Sequence, residues 1–517
     1  MSEASRRGPA APTDRAAKAA GETIEVRHKG LLTLSIMLAT VMQALDSTIA
    51  NVALPSMRGS LGAGQDQITW VLTSYIVAAA IMTPLTGWLT DRFGLRQVFN
   101  TSVAGFTIIS MACGIASSLN EMVLFRVLQG LFGACLVPLS QTVLLDINPK
   151  ERHGQAMAFW GAGVMLGPII GPTLGGWLTE TFDWRYVFFV NLPVGILAFF
   201  GILFFLPKVP SRPRVFDFIG FFMLSLAIGA LQMMLDRGQD LDWFASSEIW
   251  IETGLAVSGI WMFAFHIAGS DHPFIDPVIL KDRNLMTAVL LVFMVGAILL
   301  AGSALLPGML QNILGYPVSL TGLVLAPRGL GTMMAMMVVG RLVGRVDVRL
   351  LILFGLGLTA YSLHMMTGYS VLMGRSPIVS SGIVQGFGLG FVFVPLSTIA
   401  FSTLEPRHRA NAAGLFSLVR NIGSSIGISL ASAILSWNIA INRTEMTGKL
   451  TPSSPRLTGV LEGTGLDHAT LLSVINSQIT AQASMIAYID DFKLMMLVTL
   501  ALMPLVLIMR KPTIAGR

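Results

Sequence analysis

Long, uninterrupted apolar runs dominate this chain and decide its fold class before any motif is consulted. Breaking the hydropathy profile at Gly, Pro and charge clusters leaves runs at 30–54, 68–89, 98–117, 122–145, 155–178, 187–206, 218–235, 249–268, 286–308, 318–340, 350–370, 379–403, 411–436 and 491–509. Each approaches the roughly 20 residues that a helix needs to cross a hydrocarbon core of about 30 Å. Hydrophobic residues make up 53% of the 517 and charged residues only 12%, with mean hydropathy +0.71, so little sequence is left for soluble domains. A membrane β-barrel is excluded, because its strands read as alternating segments of about ten residues. The fold class expected is an all-α polytopic membrane protein with fourteen spans.

The net charge of +6 raises nucleic acid as a partner, but its distribution argues for lipid instead. Counted on alternate sides of the spans, Lys and Arg fall twenty-three to one side and seven to the other. The positive-inside rule then places both termini in the cytoplasm. Residues 1–29 lack the apolar core of a signal peptide and read as a disordered cytoplasmic tail. Cys113 and Cys135 lie in apolar runs and imply neither a disulfide framework nor a metal site.

An internal echo organises the spans. Gly87-Trp-Leu-Thr-Asp91-Arg92-Phe-Gly94-Leu-Arg96 recurs faintly as Gly340-Arg341-Leu-Val-Gly344-Arg345-Val-Asp347-Val-Arg349, each after the second span of a six-span block. Such repeats mark secondary transporters, whose substrate site lies between the halves near the membrane midplane. The boundaries read as 30–206 for the first bundle, 207–285 for two inserted helices, 286–510 for the second bundle and 511–517 for a short cytoplasmic tail. Within the second bundle lies the only long outer loop, 438–490, whose second part extends the last span outward through Leu472, Ile475, Ile479, Ala483 and Ile486.

Asp46 is the strongest single signal, because a carboxylate deep in a span costs a few kcal/mol unless it pairs or faces water. Such an acid can load and release a proton; the alternative is a neutral acid that only packs. Gln43 lies one turn earlier, and Arg126 in the fourth span is the natural countercharge, with Gln129 on its face. A proton on Asp46 would release that pair, or the pair is a static bridge between spans. Gly163, Gly167, Gly171 and Gly175 recur every four residues, with Pro168 and Pro172 one residue behind. This spacing makes a smooth face for close helix packing, and the prolines permit a bend. Asp91, with Arg92, is placed to latch one conformation at helix ends, although positive-inside anchoring also accounts for the arginine. Arg328, Gln385 and Arg420 join Gln43 and Gln129 as candidates for a substrate cavity; with Gln232, Gln311 and His364 they form a weaker set, of which only some are expected to line it, since polar residues often serve as glue between helices.

Absent signals matter as well. The chain has no phosphate-binding Gly-x-x-x-x-Gly-Lys-[Ser/Thr] loop, no Gly-x-Ser-x-Gly and no His-Glu-x-x-His. An enzyme reading has no residues to stand on.

With these residues in view, the sequence resembles the major facilitator superfamily, and within it the fourteen-span drug/proton antiporters of the EmrB/QacA type, nearer the EmrB side. Gly87 to Gln97 resembles the superfamily's loop motif, Arg126 to Gly133 its fourth-span arginine motif, and Gly161 to Gly176 its antiporter motif. Leu231 to Gly238, followed by Leu241 to Phe244, and the long final outer loop carry the nearer likeness. The resemblance implies two pseudo-symmetric six-helix bundles plus two inserted helices. It also implies proton-driven multidrug efflux without a cofactor, across the inner membrane of a Gram-negative bacterium. A separate periplasmic adaptor and an outer-membrane channel would be its partners. It assigns proton coupling to Asp46 and Arg126, a conformational latch to Gly87, Asp91 and Arg92, and antiport-specific packing to the Gly/Pro face of the fifth span. The chain departs from the pattern for dicationic substrates by carrying Arg420 in span thirteen and Arg328 in span ten, where acids would be expected. Hydrophobic neutral or weakly acidic substrates fit better. The competing readings are a proton-coupled transporter of one native metabolite and a non-transporting receptor.

Overall fold

A computed structural model describes residues 24–208, 215–448 and 468–509. Thirteen helices among them are long and apolar enough to cross a membrane: α1 Lys29–Ser60, α2 Trp70–Phe93, α3 Leu95–Ile115, α4 Leu119–Asp146, α5 Lys150–Thr181, α6 Tyr186–Phe205, α7 Phe218–Arg237, α8 Ser247–Gly269, α9 Arg283–Asn312, α10 Leu320–Leu342, α11 Val348–Met366, α12 Arg375–Ala400 and α13 Arg409–Gly448. A last long helix, α14, spans His468–Val506. The count of spans therefore stands at thirteen against the fourteen expected. The difference lies in α14, where Asp490, Asp491 and Lys493 interrupt the apolar stretch. No β-strand forms among the described residues, in keeping with a chain whose backbone groups must all be satisfied within each segment in lipid.

The loop expected at 438–490 is largely helical where it is described. α13 continues to Gly448 and α14 starts at His468, and with 40 and 39 residues each is about twice the length needed to cross a bilayer. Arg443 donates to Asn476 Oδ1 at 3.0 Å, which ties the two extensions together. Most of the tail expected at 1–29, all of 511–517 and the Pro-containing stretch 449–467 lie outside the described residues.

Buried apolar residues fall into clusters that report how the two blocks meet. One large cluster joins both: Leu32, Phe99, Leu144 and Trp160 of the first block lie with Leu285, Met336, Ile352 and Phe416 of the last. All of these sit toward the membrane face where the basic loops gather. At the opposite face the clusters separate, one holding Ile49, Val71 and Phe188 and another holding Leu306, Leu363 and Phe492. The blocks are thus fused at the basic face and individually packed at the other.

The sequence echo appears as crossed contacts at the fused face. Gly87, near the end of α2, lies so close to the start of α13 that a Cβ would sit 2.9 Å from Asn411 Cα. Its counterpart Gly340, at the end of α10, packs on the start of α5, where a Cβ would meet the Ala158 Cβ at 2.5 Å. The loops after these helices turn on Gly94 and Gly344, at φ +87° and +92°, a left-handed conformation that disfavours any side chain. The inserted pair lies to one side. α7 fits between α2 and α13, where Gln232 donates to Ser425 Oγ at 2.8 Å, Ser429 donates to the Leu235 carbonyl and Thr73 donates to the Asp236 carboxylate. α8 packs on α7 through Gly259, where a Cβ would lie 3.0 Å from Ala227.

The glycine face of α5 packs against α1. Cβ atoms at Gly167, Gly171 and Gly175 would lie 2.6 Å from the Ala44 carbonyl carbon, 2.2 Å from Thr48 Oγ1 and 2.7 Å from Ile49 Cγ1. α5 is also broken, its two helical segments meeting at Met165, three residues before Pro168. A proline there removes one helix hydrogen bond and relieves its clash by a bend. Gly167→Ala is expected to destabilise the protein by about 1–3 kcal/mol, because the atom it meets is backbone that cannot rotate away. Gly176→Ala, with open space around it, serves as the matched control and is expected to unfold at or above the wild-type temperature. Thermal unfolding of the purified variants checks this, and equal melting of the two would contradict the packing argument.

Candidate functional site

Asp46 and Arg126 face each other inside the first block, both with no exposed surface. Arg126 Nη1 donates to Asp46 Oδ2 at 2.7 Å and to Gln129 Oε1 at 2.7 Å, while Nε donates to the Val71 carbonyl at 2.9 Å. The other carboxylate oxygen, Asp46 Oδ1, accepts from Gln129 Nε2 at 2.9 Å and from Asn191 Nδ2 at 3.0 Å. Asn191 also donates to Ser110 Oγ at 2.9 Å, which in turn donates to the Phe188 carbonyl. Helices α1, α2, α3, α4 and α6 all contribute, so the charge pair is the hub of that block. Its geometry is that of a buried pair whose hydrogen bonds offset the cost of desolvation.

Gln43 and Asp46 share a helix but not an environment. Gln43 Nε2 donates to the Tyr75 hydroxyl at 3.2 Å, and both residues line a cavity of about 410 Å³ between the two blocks. The other face of this junction carries the charge pair, since the Arg126 guanidinium lies 4.3 Å from the Tyr75 ring centroid. One aromatic ring therefore separates the buried pair from the cavity, in cation–π contact with the arginine.

The cavity walls come from both blocks. Pro138, Trp160 and Pro168 face Val295, Met336 and Phe393, and a polar patch is formed by Arg420, Asn421, Ser424 and Ser425. Arg420 is the one charged side chain on this lining. Among the described residues it has no carboxylate partner, only a long 3.5 Å contact with Asn421 Oδ1. The inserted helix α7 contributes Gln232, one of the weaker candidates the sequence offered.

Of the five residues expected to line a substrate cavity, Gln43 and Arg420 do so. Gln129 is fully buried in the Asp46 cluster, drawn there by the carboxylate it donates to. Gln385 is 1% exposed and Gly302 is its neighbour within the second block. Arg328 is half-buried on α10, off the cavity lining, where Gly386 packs against its backbone carbonyl. Helical spacing alone cannot distinguish these faces, because a span that is buried all round lacks a single apolar stripe.

Asp91 is half-buried and Arg92 exposed beside the Gly87–Asn411 contact. A further fastening at this face was not legible in the sequence. Arg409, 5% exposed at the start of α13, donates to Asp146 at the end of α4 at 2.6 Å, crossing between the blocks. Both residues sit at span ends, where charges are commonplace. Asn191 and Tyr75 were also missed, although Asn191 is a lone amide in an otherwise apolar span.

The sequence profile of the Major Facilitator Superfamily matches residues 36–437. The chain is 36% identical over 493 residues to the multidrug export protein EmrB of Escherichia coli K12, covering 94% of this chain and 96% of that one. It is 34% identical to the fatty acid resistance protein FarB of Neisseria gonorrhoeae, over 94% and 97% of the two chains. Among solved structures, the human organic anion transporter MFSD10 matches with a TM-score of 0.59 at 15% identity, covering 91% of this chain and 99% of that one, which speaks to the fold alone. The chain is a multi-pass membrane protein and belongs to the major facilitator superfamily of transporters.

Proposed function

We propose that this protein is a proton-driven exporter of hydrophobic and weakly acidic compounds. The observation that carries this reading is the cavity between the two blocks: it is apolar over most of its wall, has Arg420 as its single charged group, and lies one tyrosine ring from the Asp46–Arg126 pair. An apolar cavity takes compounds of many shapes, and an uncompensated guanidinium in it favours a carboxylate over an ammonium. The similarity to a multidrug export protein and to a fatty acid resistance protein supports the same substrate class.

Coupling follows from the electrostatics of the pair. With Asp46 ionised, Arg126 is neutralised and the hub is locked. A proton delivered to Asp46 removes that neutralisation and weakens the link between α1 and α4, so a proton and a substrate compete for the state in which the pair is intact. The fused basic face, taken as cytoplasmic, makes the present conformation closed inward. Opening it requires breaking the Asp146–Arg409 pair and parting the Gly87–Asn411 contact, which supports the latch role that the resemblance implies for Gly87, with Asp91 and Arg92 beside it. In this reading both termini are cytoplasmic, the membrane is the bacterial inner membrane, and the proton gradient is the energy source with no cofactor. A periplasmic adaptor and an outer-membrane channel complete the export route.

Two outcomes test this. In inside-out vesicles with an imposed proton gradient, Asp46→Asn at matched protein levels is expected to lose gradient-driven uptake of both a dye and a lipophilic weak acid by at least about tenfold, the scale of a single 1.4 kcal/mol coupling term. Unchanged uptake would move coupling elsewhere, and uptake of one compound only would favour the transporter of a single metabolite. Arg420→Gln is expected to weaken binding of the weak acid about tenfold while leaving a neutral compound of similar shape unaffected. Quenching of fluorescence from Trp160, which lines the cavity, reads this in the purified protein. An equal loss for both compounds would contradict charge selection by Arg420.

A further inference from the structure

A second cavity, of about 250 Å³, opens at the basic face between the start of α1, the end of α4 and the start of α5. Lys29 and Arg152 line it together, with the amides of Asn148 and Gln155 and the apolar side chains of Leu144 and Phe159. No carboxylate lines it, and among the described residues neither cation belongs to an ion pair. Two like charges that converge on one concave site repel each other unless an anion is shared between them. The regular α-helical part of α5 begins at His153, and its first turn, which carries Gln155, adds its partial positive charge to the same spot.

The cavity also has an apolar side. Phe159 is 55% exposed on α5, where it faces the surroundings of the bundle beside Leu144. A free phosphate would engage the two cations and leave that apolar wall unused. A phospholipid uses both, since its phosphate lies at the depth where span ends meet the headgroups and its acyl chains run down the helix surface. We propose that this cavity binds an anionic phospholipid, its phosphate held between Lys29 and Arg152 and one acyl chain laid along Phe159.

The site adjoins the fastening of the basic face. Asn148 follows Asp146 by two residues, and Asp146 both pairs with Arg409 and accepts the backbone N–H of Ile24 at 2.9 Å. On the other side of Arg152, Gly154 packs against Val343, just past the end of α10, where a Cβ would lie 2.6 Å from the Val343 Cβ. A lipid that ties Lys29 to Arg152 therefore braces the turn between α4 and α5 from outside, at the turn that carries both contacts with the opposite block. Its occupancy stabilises the conformation closed at this face, by mass action on the state that holds the site together.

The test is thermal unfolding of the purified full chain in neutral detergent with added phosphatidylglycerol, phosphatidylcholine or inorganic phosphate, together with native mass spectrometry to count retained lipid. Phosphatidylglycerol is expected to raise the melting temperature by several degrees and to remain bound, whereas phosphatidylcholine and phosphate do neither. Both effects are expected to fall by at least half in Lys29→Gln/Arg152→Gln. They are expected to persist in Lys29→Arg/Arg152→Lys, which keeps the charge, and in Lys281→Gln/Arg283→Gln, which removes two exposed charges elsewhere on the same face. The lipid count keeps the comparison meaningful if the double variant melts lower on its own. Undiminished phosphatidylglycerol binding in Lys29→Gln/Arg152→Gln would overturn the proposal, as would an equal loss in Lys281→Gln/Arg283→Gln. A full shift with inorganic phosphate alone would also overturn it, by assigning the cavity to free anions.

Discussion

A carboxylate and a guanidinium with no exposed surface must neutralise each other, because either one left alone in the low-dielectric interior would cost several kcal/mol. The Asp46–Arg126 pair meets that requirement with hydrogen bonds on both sides: Gln129 and Asn191 donate to the second carboxylate oxygen, and the Val71 carbonyl accepts the guanidinium Nε–H. The surrounding packing follows from this hub. The four-residue glycine spacing of α5 lets that helix lie against the backbone of α1 at Ala44, two residues from the aspartate. A side chain at Gly167 would force α1 away from its place in the hub. The antiporter-like Gly/Pro face and the charged pair are thus two parts of one constraint.

A second constraint is the asymmetry between the two membrane faces. The blocks share one apolar core at the basic face and have separate cores at the other. Two bodies whose separate cores merge only at one end can exchange that shared core for another while their own cores stay packed, which is the physical basis of a rocking transporter. Besides the shared core, the present arrangement is fastened by discrete contacts that include the ion pair between Asp146 and Arg409 and two glycines, Gly87 and Gly340, each pressed onto a helix of the opposite block. The inserted helix α7 departs from this symmetry. It places Gln232 on the wall of the central cavity, so the insertion lines the space between the blocks as well as the periphery.

The helical, membrane-spanning character of the chain was legible because hydropathy depends only on local sequence. The same was true of Asp46 and Arg126, since charges within apolar runs stand out against a background that excludes them. The glycine face of α5 was legible from its period. Less visible was anything that depended on which way a side chain points in a helix buried on all sides. Gln43 and Asp46 are less than one turn apart yet line the cavity and the hub separately, and Gln129 and Gln385 are buried within their blocks, off the cavity wall. The Asp146–Arg409 pair was hidden for a different reason: its members lie 263 positions apart at helix ends, where basic and acidic residues need no special explanation. The helical extension of α13 to Gly448 escaped notice because its polar sequence has a partner only once α14 lies beside it.

The central claim is that one proton and the substrate compete through the Asp46–Arg126 pair. Its most direct measurement is the proton balance of substrate binding in purified, weakly buffered protein near neutral pH, followed with a pH-indicating dye. Addition of a neutral lipophilic substrate is expected to release up to one proton per protein from the wild type, and to release none from Asp46→Asn although the compound still binds. Proton release that persists in Asp46→Asn, or binding to the wild type with no release at any pH, would contradict the account.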